Sequence, residues 1–234
     1  MSDKKEKKLV VFTGSGISAE SGIKTFRDSG GLWEDHDISE VATPEAWENN
    51  PELVLDFYNK RRKNVLDSEP NDAHKAIANL ENYYDVKVIT QNIDDLHERA
   101  GSSEVIHLHG EILKARSSSN PDLLYEVKED GIKMGDKCDE GSQLRPHVVW
   151  FGEPVPEMER AFNIAMEADI LLVVGTSLVV YPAAGIVTQV SEKIKKYVVD
   201  PNSVPVDHIK NVEVIKSTAT EGVPPLVDRL LKGS

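Results

Sequence analysis

Six short runs of aliphatic and β-branched residues punctuate the chain: KLVVFT (8–13), VKVIT (86–90), VIHLH (105–109), ILLVVGT (170–176), KYVV (196–199) and VEVI (212–215). They are continuous rather than alternating, the pattern of strands buried on both faces of a parallel sheet. Such a sheet needs crossover connections, and helix-like stretches stand between the runs. In NDAHKAIANLENYY, Ala73, Ile77, Leu80 and Tyr84 fall on one helical face, with Asn71 or Asp72 as the cap. PEMERAFNIAMEA (156–168) and PPLVDRLL (224–231) read the same way, each with proline near its first turn. The fold class is α/β, doubly wound.

Two stretches break the alternation. Residues 34–67 contain PELVLDFYNKRRKNVLD, which carries Leu53, Phe57 and Val65 at helical spacing with arginines and lysines on other faces, and they read as a helical insertion. Residues 113–144 are rich in Ser, Asp, Lys and Gly, with no long periodic segment. With no internal repeat or low-complexity linker, residues 1–234 read as one domain with a small insertion module. A hydrophobic fraction of 39% is enough for a core and argues against disorder. Lys and Arg number 27 against 40 Asp and Glu, a net charge of -13, so nucleic acid and membranes are not expected partners. No apolar run reaches the ~18 residues of a membrane span, and MSDKKEKK lacks the apolar stretch of a signal peptide, so a cytoplasmic location is expected. The single cysteine, Cys138, excludes an internal disulfide and a four-thiolate zinc site.

In an open parallel sheet, ligands bind beyond the carboxyl ends of the strands. Polar residues collect there: Gly14-Ser15-Gly16 after the first run, Gln91, Asn92 and Asp94 after the second, His109-Gly110 at the third, Thr176 and Ser177 after the fourth, and Asp200 and Asn202 after the fifth. Their joint placement argues for one nucleotide-sized crevice. Gly14-x-Gly16-x-x-Ala19 follows a strand and leads toward a short helix, where glycines admit a diphosphate and amides attract it; a tight structural turn is the other reading. A dehydrogenase would place an acidic residue about 20 positions on, ending the second strand. Here the second strand comes far too late, and Asp200 is the better ribose-binding candidate, a solvated loop carboxylate being the alternative.

GSGISAESGIKTFR (14–27), TQNIDDLH (90–97), LHG (108–110), RPHVVWFGE (145–153) and GTSLVVYPAA (175–184), in that order, closely resemble the defining motifs of sirtuins, the NAD-dependent protein lysine deacylases. The likeness spans nearly the whole chain. It implies a Rossmann-like doubly wound parallel sheet, a small module formed by the two insertions, and NAD with an acyl-lysine protein or peptide in the cleft between them. In the implied reaction nicotinamide leaves, the acyl oxygen captures the ribose carbon, and water finally yields free lysine and O-acyl-ADP-ribose. ADP-ribosyl transfer to a protein side chain, or a catalytically silent NAD or ADP-ribose sensor, would use the same pocket. Oligomeric state is not indicated.

The resemblance gives His109 the role of general base toward a ribose hydroxyl, and an imidazole titrating near about pH 6.5 suits that task; a hydrogen-bonded structural histidine is the alternative. His107 should share its strand face and reads as structural. Gln91 is implied to meet the nicotinamide ribose, while Asn92 and Asp94 shape the carboxamide pocket and assist bond cleavage, a helix capped by Asn92 being the other reading; Ile93 is a further cofactor-binding candidate. Gly14, Ser15, Gly16, Ser18 and Ala19 form the cofactor loop, with Arg27 suited to diphosphate and Phe26 to shielding the reacting carbon. Gly175, Thr176, Ser177, Asp200, Asn202 and Ala219 complete the cofactor side. Val149, Trp150, Phe151 and Gly152 offer an extended edge for substrate backbone. Tyr58-x-x-Arg61 puts a phenol and a guanidinium on one helix face, otherwise a solvated charged surface; in the sirtuin context it looks like the signature of enzymes that remove succinyl, malonyl or glutaryl groups.

The sequence also departs from the family. Most sirtuins hold the small module with four cysteines around zinc, but Ser117 to Ser119 stand where a first pair would be, so no zinc or other metal is expected. Packing through Leu123, Leu124, Tyr125 and Ile132 is expected to replace it. Asp200 stands where the family commonly has asparagine, which favours NAD and disfavours NADP.

Overall fold

A computed structural model describes residues 7–24, 36–127, 130–178 and 181–232. All six runs become strands of one parallel sheet: β1 (Lys8–Thr13), β2 (Asp85–Thr90), β3 (Val105–His107), β7 (Ile170–Val174), β8 (Lys195–Val199) and β9 (Val212–Ile215). Their order is β3-β2-β1-β7-β8-β9. The chain builds outward from β1 on one side, then returns to lay β7 against its other edge. That reversal makes a topological switch point between β1 and β7, where open α/β sheets bind ligands. In register Thr13 stands opposite Thr90 and Val174, so three strands end together there.

Continuous apolar character is required because both faces are covered. Leu9 and Val11 pack with α4 (Asp72–Leu80) and α8 (Ala219–Lys232), while Val10 and Phe12 pack with α6 (Met158–Met166) and α7 (Ile186–Gln189). Asn71 caps α4 by accepting the amides of Ala73 and His74, and Ala73, Ile77 and Leu80 are buried. Helix α8 begins five residues earlier than expected, leaving Pro224 and Pro225 inside it. The Glu20 carboxylate accepts the Thr220 amide at 2.9 Å and so caps the earlier start, a tertiary contact outweighing the proline signal.

The first insertion supplies α1 (Ile38–Val41), α2 (Pro44–Asn49) and α3 (Pro51–Asp67). Its arginines are not all on a solvated face: Arg61 and Arg62 are buried. Arg62 Nε donates to the Ile112 carbonyl at 2.8 Å, tying the helix to the strand that leads into the second insertion, while Nη1 donates to Asn59 Oδ1 of the same helix at 2.5 Å. The aperiodic second insertion is bounded by strands: β4 (Gly110–Ser117), β5 (Leu124–Glu126) and β6 (Leu144–Val148) form an antiparallel sheet ordered β5-β4-β6. Polar and basic residues such as Lys114 and Arg116 sit in β4, so this strand carries no continuous apolar run. Ile132 packs with Leu55 and Ala115, and Tyr125 joins them, but Leu124 points outward and is 46% exposed because its side chain alternates with that of Tyr125.

Candidate functional site

A cavity of about 380 Å³ opens at the β1–β7 switch point and extends along α3 and β6. Its floor is the glycine turn. Gly14 N donates to the Val174 carbonyl and Gly16 N to the Gly175 carbonyl at 2.9 Å, locking the turn against the end of β7. A Cβ on Gly16 would stand 2.7 Å from Gly175 Cα, so only glycine allows this approach. The expected helix after the turn is two three-residue 3-10 turns, Ser15–Ile17 and Ala19–Ser21, so close-approaching amides rather than a long helix dipole are what the turn presents. Phe26 and Arg27 lie outside the described residues.

The turn after β2 projects into the cavity through a hydrogen-bonded relay. Asn92 Nδ2 donates to Ser18 Oγ at 3.1 Å, and Ser18 Oγ donates to Asp94 Oδ2 at 3.0 Å. Asn92 N is held by Thr90 Oγ1, and Gln91 Nε2 reaches Thr176 Oγ1 at 3.0 Å, joining the ends of β2 and β7. Burial raises the Asp94 carboxyl above its ordinary range, opposed by the Leu96 amide and the Ser18 hydroxyl. His109 Nδ1 lies 3.0 Å from the Gln91 carbonyl. A carbonyl only accepts, so Nδ1 carries the proton and Nε2 keeps its lone pair on a ring that lines the cavity. Burial lowers the His109 pKa, which keeps the imidazole neutral near pH 7. The His109 carbonyl accepts the Val149 amide at 2.9 Å, coupling the histidine to the segment after β6.

That segment is braced from below. Glu153 accepts Arg145 Nη1 at 2.8 Å, Arg145 Nη2 at 3.1 Å, Arg116 Nη2 at 3.0 Å and the Trp150 amide at 2.8 Å. The Arg145 guanidinium stacks 3.2 Å from the Trp150 ring centroid. Burial opposes ionisation of Glu153, but the Arg145 hydrogen bonds, the Trp150 amide and the two positive charges outweigh it and hold its pKa below the ordinary value. Val149, Trp150, Phe151 and Gly152 all line the cavity, with Phe151 46% exposed at its mouth.

Arg61 lines the same wall, whereas Tyr58 is fully buried behind it and is not among the lining residues. Burial raises the Tyr58 pKa against the pull of Arg61, so the phenol stays protonated. At the far end Asp200, Asn202 and Ala219 line the cavity, and Asp200 Oδ1 accepts the Asn202 amide at 2.9 Å. Ser15, Ala19, Ile93 and Ser177 line it as well. Sequence reasoning missed Glu20, Val65, Glu153 and Tyr181 among the lining residues. Glu153 closes the RPHVVWFGE motif and could have been marked on that ground; Val65 looked like ordinary core.

The position where a zinc module would need thiolates holds hydroxyls. Cys138 Sγ donates to Ser117 Oγ at 3.3 Å, Ser117 and Ser119 share a hydroxyl contact at 3.3 Å, and Ser119 meets Ser142 at 2.6 Å. This donor set does not fit a tetrahedral thiolate site, and no group of three His, Cys, Asp or Glu suited to a metal occurs among the described residues. Among those residues no helix is long and apolar enough to cross a membrane.

Comparison with known proteins gives a consistent picture. A model of the Sir2 family matches residues 14–182. An NAD-dependent protein deacylase of Helicobacter pylori is 50% identical over 226 residues, covering 97% of this chain and 98% of that protein. A crystal structure of a Sir2 homolog–NAD complex matches with a TM-score of 0.86 at 42% identity, covering 97% of this chain and 90% of that one. A mutant Sir2 homologue in complex with 2′-O-acetyl ADP-ribose matches with a TM-score of 0.86 at 40% identity, covering 97% and 93%.

Proposed function

Since the chain belongs to the Sir2 family and is an NAD-dependent protein deacylase, we propose that its cavity removes acetyl groups, and with greater preference succinyl or malonyl groups, from protein lysines. The products are nicotinamide, free lysine and O-acyl-ADP-ribose. NAD supplies an anomeric carbon that exchanges nicotinamide for the acyl oxygen. The polar groups at the switch point fit it: glycine-turn amides to donate to the diphosphate, Gln91, Thr176 and Ser177 for hydroxyls, and the Asp200 carboxylate to accept from a ribose diol rather than meet an added phosphate. A Sir2 homolog that binds NAD and another in complex with an acetylated ADP-ribose support this reading.

The observation that carries the proposal is the placing of His109 on the cavity wall with Nδ1 3.0 Å from the Gln91 carbonyl, which leaves the Nε2 lone pair free to act. It accepts the proton of the ribose hydroxyl that attacks the acyl carbon. The Asn92–Ser18–Asp94 relay presents polar groups to the departing carboxamide, and the 149–152 segment pairs with substrate backbone while excluding water. Arg61 faces the acyl end as a permanent cation. A hydrogen bond from it to an acyl carboxylate favours acidic acyl groups by roughly tenfold to a hundredfold.

One comparison tests both levels. The same peptide, acetylated or succinylated, is incubated with NAD and the parent, Arg61→Met or His109→Ala, and the products are weighed. Arg61→Met is expected to lose the succinyl preference by at least about tenfold while keeping acetyl turnover. Equal losses on both peptides contradict the clamp, and a peptide that gains mass rather than losing it identifies ADP-ribosyl transfer.

A further inference from the structure

We propose that His107 is a positioning residue for the reaction, held between the Asn92 carbonyl and the Glu98 carboxylate so that it clamps the turn carrying Asn92 and Asp94 into the cavity. The inference rests on the reading of that turn as the carboxamide pocket.

His107 Nδ1 lies 2.9 Å from the Asn92 carbonyl and Nε2 lies 2.7 Å from Glu98 Oε1. Both partners accept, and a neutral imidazole has only one N–H to offer, so the pair of contacts requires the imidazolium. His109, two residues on, takes the neighbouring Gln91 carbonyl with one N–H and keeps the other nitrogen basic. Adjacent carbonyls of one turn are therefore held by two histidines, one an imidazolium and the other neutral. The charged one keeps its place: the His107 side chain is only 8% exposed.

The surroundings favour that charge. Asp94 and Asp95 of the turn, Glu111 and Lys114 of β4, and Glu126 of β5 line, with His107, a second cavity of about 120 Å³ behind the site. Glu98 and the buried His97 approach from α5 (Leu96–Ala100). Burial works against the imidazolium, but the Glu98 hydrogen bond and charge, the Asn92 carbonyl and Glu111 outweigh it and raise the pKa. The sign follows. A raised value means that the clamp is intact at lower pH and is lost as pH rises through the folded pKa of His107, whereas the lowered His109 pKa means that the base is available above it. Between the two limits both histidines are in their working states.

Side-chain amides separate the two contacts, because an asparagine nitrogen sits near the place of Nδ1 and a glutamine nitrogen near that of Nε2. Acyl-peptide turnover is measured from pH 6 to 10 for the parent, His107→Asn, His107→Gln and Glu98→Gln, with thermal unfolding of each. His107→Gln is expected to lose about tenfold or more in kcat with the KM for acyl-peptide unchanged, from the missing hydrogen bond to Asn92. His107→Asn restores most of that loss and flattens the alkaline limb, because an amide has no proton to give up. Glu98→Gln moves the limb to lower pH. An alkaline limb unmoved by Glu98→Gln, or equal losses in both His107 variants that track their melting temperatures, overturns the proposal. Asn92→Ala stands apart as the control. Full activity there contradicts the reading of the turn itself, while an inactive Asn92→Ala beside a fully active His107→Gln contradicts only the role of His107.

Discussion

Replacing Glu153 with glutamine removes one negative charge from between two guanidinium groups. In the parent, the carboxylate accepts hydrogen bonds from Arg145, Arg116 and the Trp150 amide, and the three side chains are 17%, 9% and 11% exposed for Glu153, Arg145 and Arg116. Glutamine keeps one acceptor oxygen and points an NH2 group at donors. With so little solvent to screen the orphaned guanidiniums, the cost is that of breaking a buried ion pair, about 3–5 kcal/mol. For a chain of this size that lowers Tm by roughly 6–20 °C. The same loss frees the 148–153 segment, so the KM for acyl-peptide rises more than the KM for NAD. The folded pKa of Glu153 is depressed, so its contribution is fully present above the ordinary carboxylate range and is lost as pH falls through the folded value. Thermal unfolding of parent and variant at pH 7 and at progressively lower pH therefore reads a gap that narrows on acidification. A Tm within about 2 °C of the parent at pH 7, or a gap that widens in acid, refutes the reasoning.

Two further outcomes concern the cofactor turn and the small module. Gly16→Ala, whose new Cβ would stand 2.7 Å from Gly175 Cα, must push the glycine turn off the end of β7; the KM for NAD is expected to rise at least about tenfold, and an unchanged value contradicts the close-approach argument. Ser117→Ala removes the acceptor of Cys138 Sγ and of the Ser119 and Asn120 amides, and is expected to cost about 1–3 kcal/mol in urea unfolding, while EDTA leaves Tm and activity unchanged; stoichiometric zinc in the purified protein contradicts the second part.

The doubly wound sheet was legible because its inner strands, β1 and β7 above all, are buried on both sides and had to be apolar almost throughout, and the cavity because five of the six strands end in polar turns. Contacts made across long sequence separations were not legible. Arg62 looks like a surface residue in YNKRRK and becomes buried only because the Ile112 carbonyl, fifty residues away, accepts from it. Strand β4 has its partners in Leu124–Glu126 and Leu144–Val148 and needs no apolar run of its own, so its composition resembled a loop. The start of α8 is set by Glu20, two hundred residues upstream, rather than by its prolines. His107 shows the same limit: its spacing from His109 was visible, but the two acceptors that define its charge lie on the β2–α5 turn and on α5.

His109 is proposed as the base that acts after nicotinamide has left. Radiolabelled nicotinamide exchange into NAD and release of deacylated peptide, measured side by side for His109→Ala, separate the step before the proton transfer from the step that needs it. Exchange within a few-fold of the parent, with deacylation reduced by about a hundredfold or more, is the predicted result. Deacylation at the parental rate would contradict it.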